Sequence, residues 1–153
     1  MPNAMQIANH LFFAEIERLL AEGSEAEFRL NGNSMRPLLR NGRDVVIIAP
    51  VANEPVAEGD VVLFRYQGKH ILHRIIKRSG KNLLLAGDGN YRRIEQATTS
   101  EVIGILVRVR RPSGKVISCE SRSWKRRSKM WLALPPMVRR IILGLARRLS
   151  RSW

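Results

Sequence analysis

Three short stretches of the chain hold residues out of keeping with plain packing. Gly32-Asn33-Ser34-Met35-Arg36-Pro37 sets a serine in a turn, His73-Arg74 interrupts an apolar run, and Gly87-Asp88-Gly89-Asn90 is a tight turn with one carboxylate. A serine hydroxyl is a poor nucleophile until a base takes its proton, and histidine titrates near the pH suited to that task. An acid can then hold the imidazole in the correct tautomer and stabilise its charged form. Ser34, His73 and Asp88 are thus a candidate nucleophile, base and orienting acid for acyl transfer. Each also has a plainer reading. Gly-Asn-Ser turns commonly use the serine for backbone hydrogen bonding, strand histidines usually only pack, and Gly-Asp-Gly-Asn builds turns. Spacing alone leaves both readings open.

Metal chemistry has less behind it. His70 and His73 lie three residues apart, on opposite faces of a strand, and His10 is the only other histidine, too few for a zinc site. The single Cys119 excludes an internal disulfide and any cysteine-based cluster. Lys69, one residue after Gly68, reads as a solvated turn lysine. No metal or cofactor is expected.

The elements that must position these groups change along the chain. Ile7, Leu11, Phe12, Ile16, Leu19 and Leu20 recur at helical spacing with Glu15, Glu17 and Glu22 between them, which predicts an amphipathic helix ending near Gly23. Short runs follow at Glu27 to Leu30, Asp44 to Ile48, Val61 to Tyr66, His70 to Ile76, Leu83 to Leu85 and Val102 to Val109. Glycine, asparagine and proline separate them. Strands at this spacing predict a mainly β core, a small partly closed barrel or sheet. The expected organisation is an N-terminal helix over residues 1–26, the β core over 27–109 and a tail over 110–153.

Charge sets that tail apart. The 153 residues suit one domain, and 44% hydrophobic with 26% charged residues excludes wholesale disorder. Of the net charge of +14, residues 108–153 carry +13, with 14 Lys+Arg against Glu120 alone. Residues 137–153 have helical periodicity. Val138, Ile141, Ile142, Leu145, Leu149 and Trp153 fall on one side and Arg139, Arg140, Arg147, Arg148 and Arg151 on the other. With Trp124 and Trp131, this pattern predicts binding to an anionic membrane surface. The alternatives are packing of the apolar face on the β core or a partner protein, and nucleic-acid binding by the basic residues. No run of about 18 apolar residues exists to span a membrane, and the N-terminus lacks the features of a secretory signal. The expected location is the cytoplasm, in solution or peripheral on the inner face of the membrane.

In context the motifs resemble a known family. Gly32 to Leu39 resembles the Gly-x-Ser-Met-x-Pro nucleophile box of type I signal peptidases and their LexA-like relatives. Gly59-Asp60-Val61-Val62 is similar to the Gly-Asp-(Ile/Val)-Val box that follows it. His73-Arg74-Ile75 falls where bacterial enzymes have a lysine base, and histidine there is the archaeal and endoplasmic-reticulum pattern. Gly87-Asp88-Gly89-Asn90 resembles that type's Gly-Asp-Asn box, and Ile103-Gly104 its closing strand. Five boxes in order cover the middle of the chain.

By position, the resemblance implies Ser34 as nucleophile, His73 as general base, Asp88 as orienting acid with Glu95 second, and the Ser34 backbone N–H as an oxyanion donor. Met35 and Pro37 would shape the turn and a cleft wall. Family substrates carry small side chains at the cleavage point and bind as an extended strand. The chain departs from the pattern in three places. The usual second aspartate is replaced by Tyr91-Arg92-Arg93-Ile94-Glu95, Gly42-Arg43-Asp44 is one residue longer than the usual Gly-Asp, and no N-terminal membrane anchor is evident. The expectation is a histidine-type serine endopeptidase processing a peptide or protein in the cytoplasm or at the membrane surface. A peptide-binding module of the same fold with little turnover is the alternative, and a nucleic-acid binder the second.

Overall fold

The computed structural model describes residues 4–30, 32–40, 42–51 and 55–151. A helix α1 (Ala4–Ala21) precedes strands β1 (Ala26–Arg29), β2 (Val45–Ala49), β3 (Val61–Tyr66), β4 (Lys69–Ser79), β5 (Asn82–Gly87), β6 (Asn90–Thr98), β7 (Val102–Arg110) and β8 (Val116–Ser118). Two further helices, α2 (Arg122–Ala133) and α3 (Pro136–Arg151), close the chain. All pairings are antiparallel, in the order β1-β2-β7-β3-β4-β5-β6, and the sheet does not close on itself. β7 bridges the halves: it pairs with β2 along one edge and with β3 and then β8 along the other. The fold is mainly β, as expected.

Two apolar clusters hold the sheet. The first joins Ile16 and Leu20 of α1 to Met35, Leu39, Val46 and Leu63. The second gathers Val62, Phe64, Ile75, Leu83 and Leu85 on β3 to β5. The alternation of β3 and β4 between these clusters explains their near-continuous apolar sequence, since both faces are covered.

Two departures from expectation bear on function. The sequence pattern does not predict β6, because its only buried residues are Glu95 and Ala97 and the rest of Asn90–Thr98 is polar or exposed. As the last strand of the order it has a free edge and needs little apolar sequence. The second concerns the expected tail from residue 110. β8 pairs with β7, and α2 turns Trp124, Ser128 and Trp131 inward at i, i+4 and i+7, so residues 116–133 belong to the body. Ser121 caps α2, its Oγ accepting the Trp124 N–H at 3.3 Å.

Candidate active site

The turn that carries Ser34 is fixed from both ends. The Leu30 N–H donates to the Asp44 carbonyl at 2.9 Å and the Gly42 N–H to the Leu30 carbonyl at 3.1 Å, closing the loop at its base. Asp44 is fully buried, and its carboxylate accepts from the Arg40 N–H and from the Arg43 and Arg111 guanidiniums. The longer Gly42-Arg43-Asp44 segment thus builds the frame of the turn. Met35 and Leu39 anchor the turn in the first cluster, and a cis peptide joins Arg36 to Pro37. Met35 is 1% exposed, so it supports the turn from beneath and does not form the expected cleft wall; Pro37 stays half-buried in the turn.

His73 enters from β4, where pairing with Val62 of β3 sets its register. Its Nε2 lies 3.0 Å from Ser34 Oγ. On the other side of the ring, Nδ1 lies 2.8 Å from Oε1 of Glu95, at an angle too poor for a good hydrogen bond. Both side chains are buried. A carboxylate only accepts, so Nδ1 carries the proton of the neutral ring, and Nε2 is left to accept the Ser34 hydroxyl. Burial holds the His73 pKa below its ordinary 6.5, and the charge of Glu95 opposes but does not cancel that effect. At neutral pH the ring is a neutral base.

Asp88 is elsewhere. Its carboxylate is clamped by Arg74, with Nε to Oδ1 at 2.8 Å and Nη2 to Oδ2 at 2.7 Å, and both side chains are essentially without solvent exposure. Successive strand residues face opposite ways, so His73 and Arg74 cannot both address one acid. Arg74 also donates to the Gly59 carbonyl at 2.8 Å, tying the Gly59-Asp60 box to the same pair. The expected orienting role of Asp88 is therefore corrected: Glu95 faces the histidine, while Asp88 contributes only its nearby charge. The signal for Glu95 was its distance in sequence, unusable until β6 is recognised as a strand pairing Glu95 with Leu85.

The Gly87–Asn90 turn presses on Ser34. The Gly89 N–H donates to the Ser34 carbonyl at 2.8 Å. A Cβ on Gly87 would stand 2.4 Å from the Ser34 carbonyl oxygen and 2.9 Å from His73 Nε2, and one on Gly89 would stand 2.9 Å from the Asn33 carbonyl oxygen. Glycine is required here by close approach. Beside Ser34 and His73 opens a cleft of 330 Å³ whose lining includes Leu30, Tyr66, Ile71, Leu72, Lys69 and Arg93. His70 borders it too, stacked on Phe13 and 3.4 Å from a Glu17 oxygen.

The expected membrane residues divide. Trp124 and Trp131 are each 5% exposed and lie within the body, so neither reaches a membrane surface. The Trp131 indole N–H donates to the Asp88 carbonyl at 3.0 Å, a contact that braces the Gly87–Asn90 turn. Arg139 is half-buried, whereas Arg140, Arg147 and Arg148 are exposed; Trp153 lies outside the described residues. Among the described residues no helix is long and apolar enough to cross a membrane, and no cluster of three or more His, Cys, Asp and Glu offers a metal site.

A model of the family described as Peptidase S24-like matches residues 6–107 of this chain. That segment runs from α1 into β7 and includes Ser34, His73, Asp88 and Glu95. No curated protein matches the sequence.

Proposed function

The chain belongs to the Peptidase S24-like family, and on that premise we propose that it is a serine endopeptidase with Ser34 as nucleophile, His73 as general base and Glu95 as the acid beside it. The observation that carries this reading is the 3.0 Å approach of Ser34 Oγ to a buried, neutral His73 Nε2. That distance is within the range in which a proton passes directly between the two atoms.

A peptide lying extended in the cleft presents its carbonyl carbon to Ser34 Oγ. As the oxygen attacks, its proton moves to Nε2, and the imidazolium so formed is stabilised by the Glu95 carboxylate 2.8 Å from Nδ1. Collapse of the tetrahedral intermediate breaks the C–N bond, and His73 passes the proton to the leaving amine. An ester on Ser34 remains. Water, deprotonated by His73, then releases the acid product and restores the hydroxyl. The Ser34 backbone N–H is the nearest donor for the oxyanion. The substrate class is a protein or peptide with small residues at the cleavage point.

One observation favours a second reading, a peptide-binding module with little turnover. Glu95 meets Nδ1 off-line and its Oε2 is buried without a partner, an arrangement that stabilises an imidazolium less well than an aligned bond. Comparing protein N-termini in cells producing the wild type or Ser34→Ala tests both. New N-termini with the wild type only, preceded by small residues, support the peptidase. Identical N-termini, with the same peptides co-purifying with both proteins, would point to the module instead.

A further inference from the structure

α3 carries its apolar stripe outward. Met137, Ile141 and Leu145 follow one another along one face and are 75%, 58% and 55% exposed, with Val138 exposed beside them. The opposite side of the helix, Arg139, Leu143 and Ala146, is half-buried. That orientation is set by named contacts. The Tyr91 hydroxyl donates to the Pro136 carbonyl at 2.9 Å, and the Arg139 guanidinium lies 5.1 Å over the Tyr91 ring while donating to the Leu132 carbonyl. The apolar face therefore does not pack on the β core.

Single exposed apolar residues need no explanation, but a stripe two turns long on a helix without one acidic residue does. Arg140 lies beside it and Arg148 continues its line after Leu145, both exposed and without a partner among the described residues, and no acid follows Glu120 anywhere in the chain. A second copy seated on this stripe would bring arginine against arginine. Nucleic acid would use the charges but has no use for exposed isoleucine and leucine, and Trp124 and Trp131, which could stack bases, are buried. An apolar face edged with arginine has the chemistry of a helix lying in a bilayer interface.

We propose that α3 docks this protein on an anionic lipid bilayer, with Met137, Ile141 and Leu145 entering the headgroup boundary and Arg140 and Arg148 meeting acidic headgroups. The adjoining α2 is tied through Trp131 to the Asp88 carbonyl, so docking would hold the cleft beside the bilayer.

Sedimentation of the full chain with phosphatidylglycerol–phosphatidylcholine vesicles, against phosphatidylcholine alone, tests this. Binding is expected to the anionic vesicles. The exposed pair Ile141→Glu with Leu145→Glu should lower partitioning by roughly tenfold or more, with the thermal transition unchanged. Arg140→Gln and Arg148→Gln should each lower it roughly fivefold. Full binding by the double glutamate variant overturns the proposal, as does failure of the wild type to bind anionic vesicles. Without vesicle binding, salt-sensitive retention on RNA that ignores the glutamates would assign the surface to nucleic acid. Likewise, a dimer lost in the double variant would assign it to a second copy.

Discussion

At His73 two effects oppose each other: burial disfavours the imidazolium, while Glu95 and the nearby Asp88 favour it. Burial wins, and the consequences have a definite sign. On the proposed mechanism the acid limb of kcat/KM should lie below pH 6.5, because the free protein would lose its base only when His73 is protonated. In Glu95→Gln the favouring charge is gone, so the limb should move to still lower pH while kcat falls by roughly 10²–10⁴-fold; a pH–rate profile of both proteins reads this. Stability follows the same linkage. The unfolded chain takes up the proton near 6.5 and the native chain does so lower. The contribution is therefore complete above 6.5 and lost as pH falls through the native value. Asp88→Asn should behave differently from Glu95→Gln. It strands Arg74 in the interior without its carboxylate, at a cost of about 3–5 kcal/mol, visible as a lowered unfolding midpoint in urea.

The Ser34–His73 pair depends on how elements meet. Ser34 sits in a turn between β1 and β2, His73 on β4 and Glu95 on β6, and the β5–β6 turn wedges against the first. Gly87→Ala forces that wedge apart: a methyl group 2.4 Å from a backbone oxygen cannot be accommodated by rotating a side chain. The expected result is a loss of about 1–3 kcal/mol in stability and a larger loss of turnover, measured by thermal unfolding and product formation. Trp131→Phe keeps an aromatic side chain but removes the donor to Asp88 and part of the buried indole, so it should cost more than the about 1 kcal/mol of the hydrogen bond alone in the same unfolding assay. Most elements were legible from apolar runs and glycine punctuation, including α1 and β1 to β5. β6 was not, since an edge strand bearing Arg92, Arg93 and Glu95 has no apolar run, and with it went the position of the acid.

For the whole molecule, the match to the family stops at residue 107 while the body continues to α2. Trp124 belongs to the first apolar cluster, and Trp131 is equally buried. Losing one such aromatic costs about 3–5 kcal/mol, against a total of about 5–15 kcal/mol for a domain. A chain ending at residue 119 should therefore fail to give a cooperative thermal transition. One ending at residue 135, which keeps α2 and loses α3, should unfold within a few degrees of the intact protein. Equal transitions for both shortened chains would show α2 to be dispensable.

What the sequence by itself determined was chemical and periodic. It supplied a serine in a turn, a histidine in a strand, a mainly β order of elements, and a basic, amphipathic C-terminal helix. Those features are local, written in residue type and in spacings of two or 3.6. The tertiary structure decided which acid faces His73, that Arg74 captures Asp88, that Trp124 and Trp131 serve the interior, and that the stripe of α3 looks outward. Each is a matter of register and packing between segments distant in sequence. Alternation on β4 sends His73 and Arg74 to opposite sides, and Tyr91 and Arg139 set the rotation of α3.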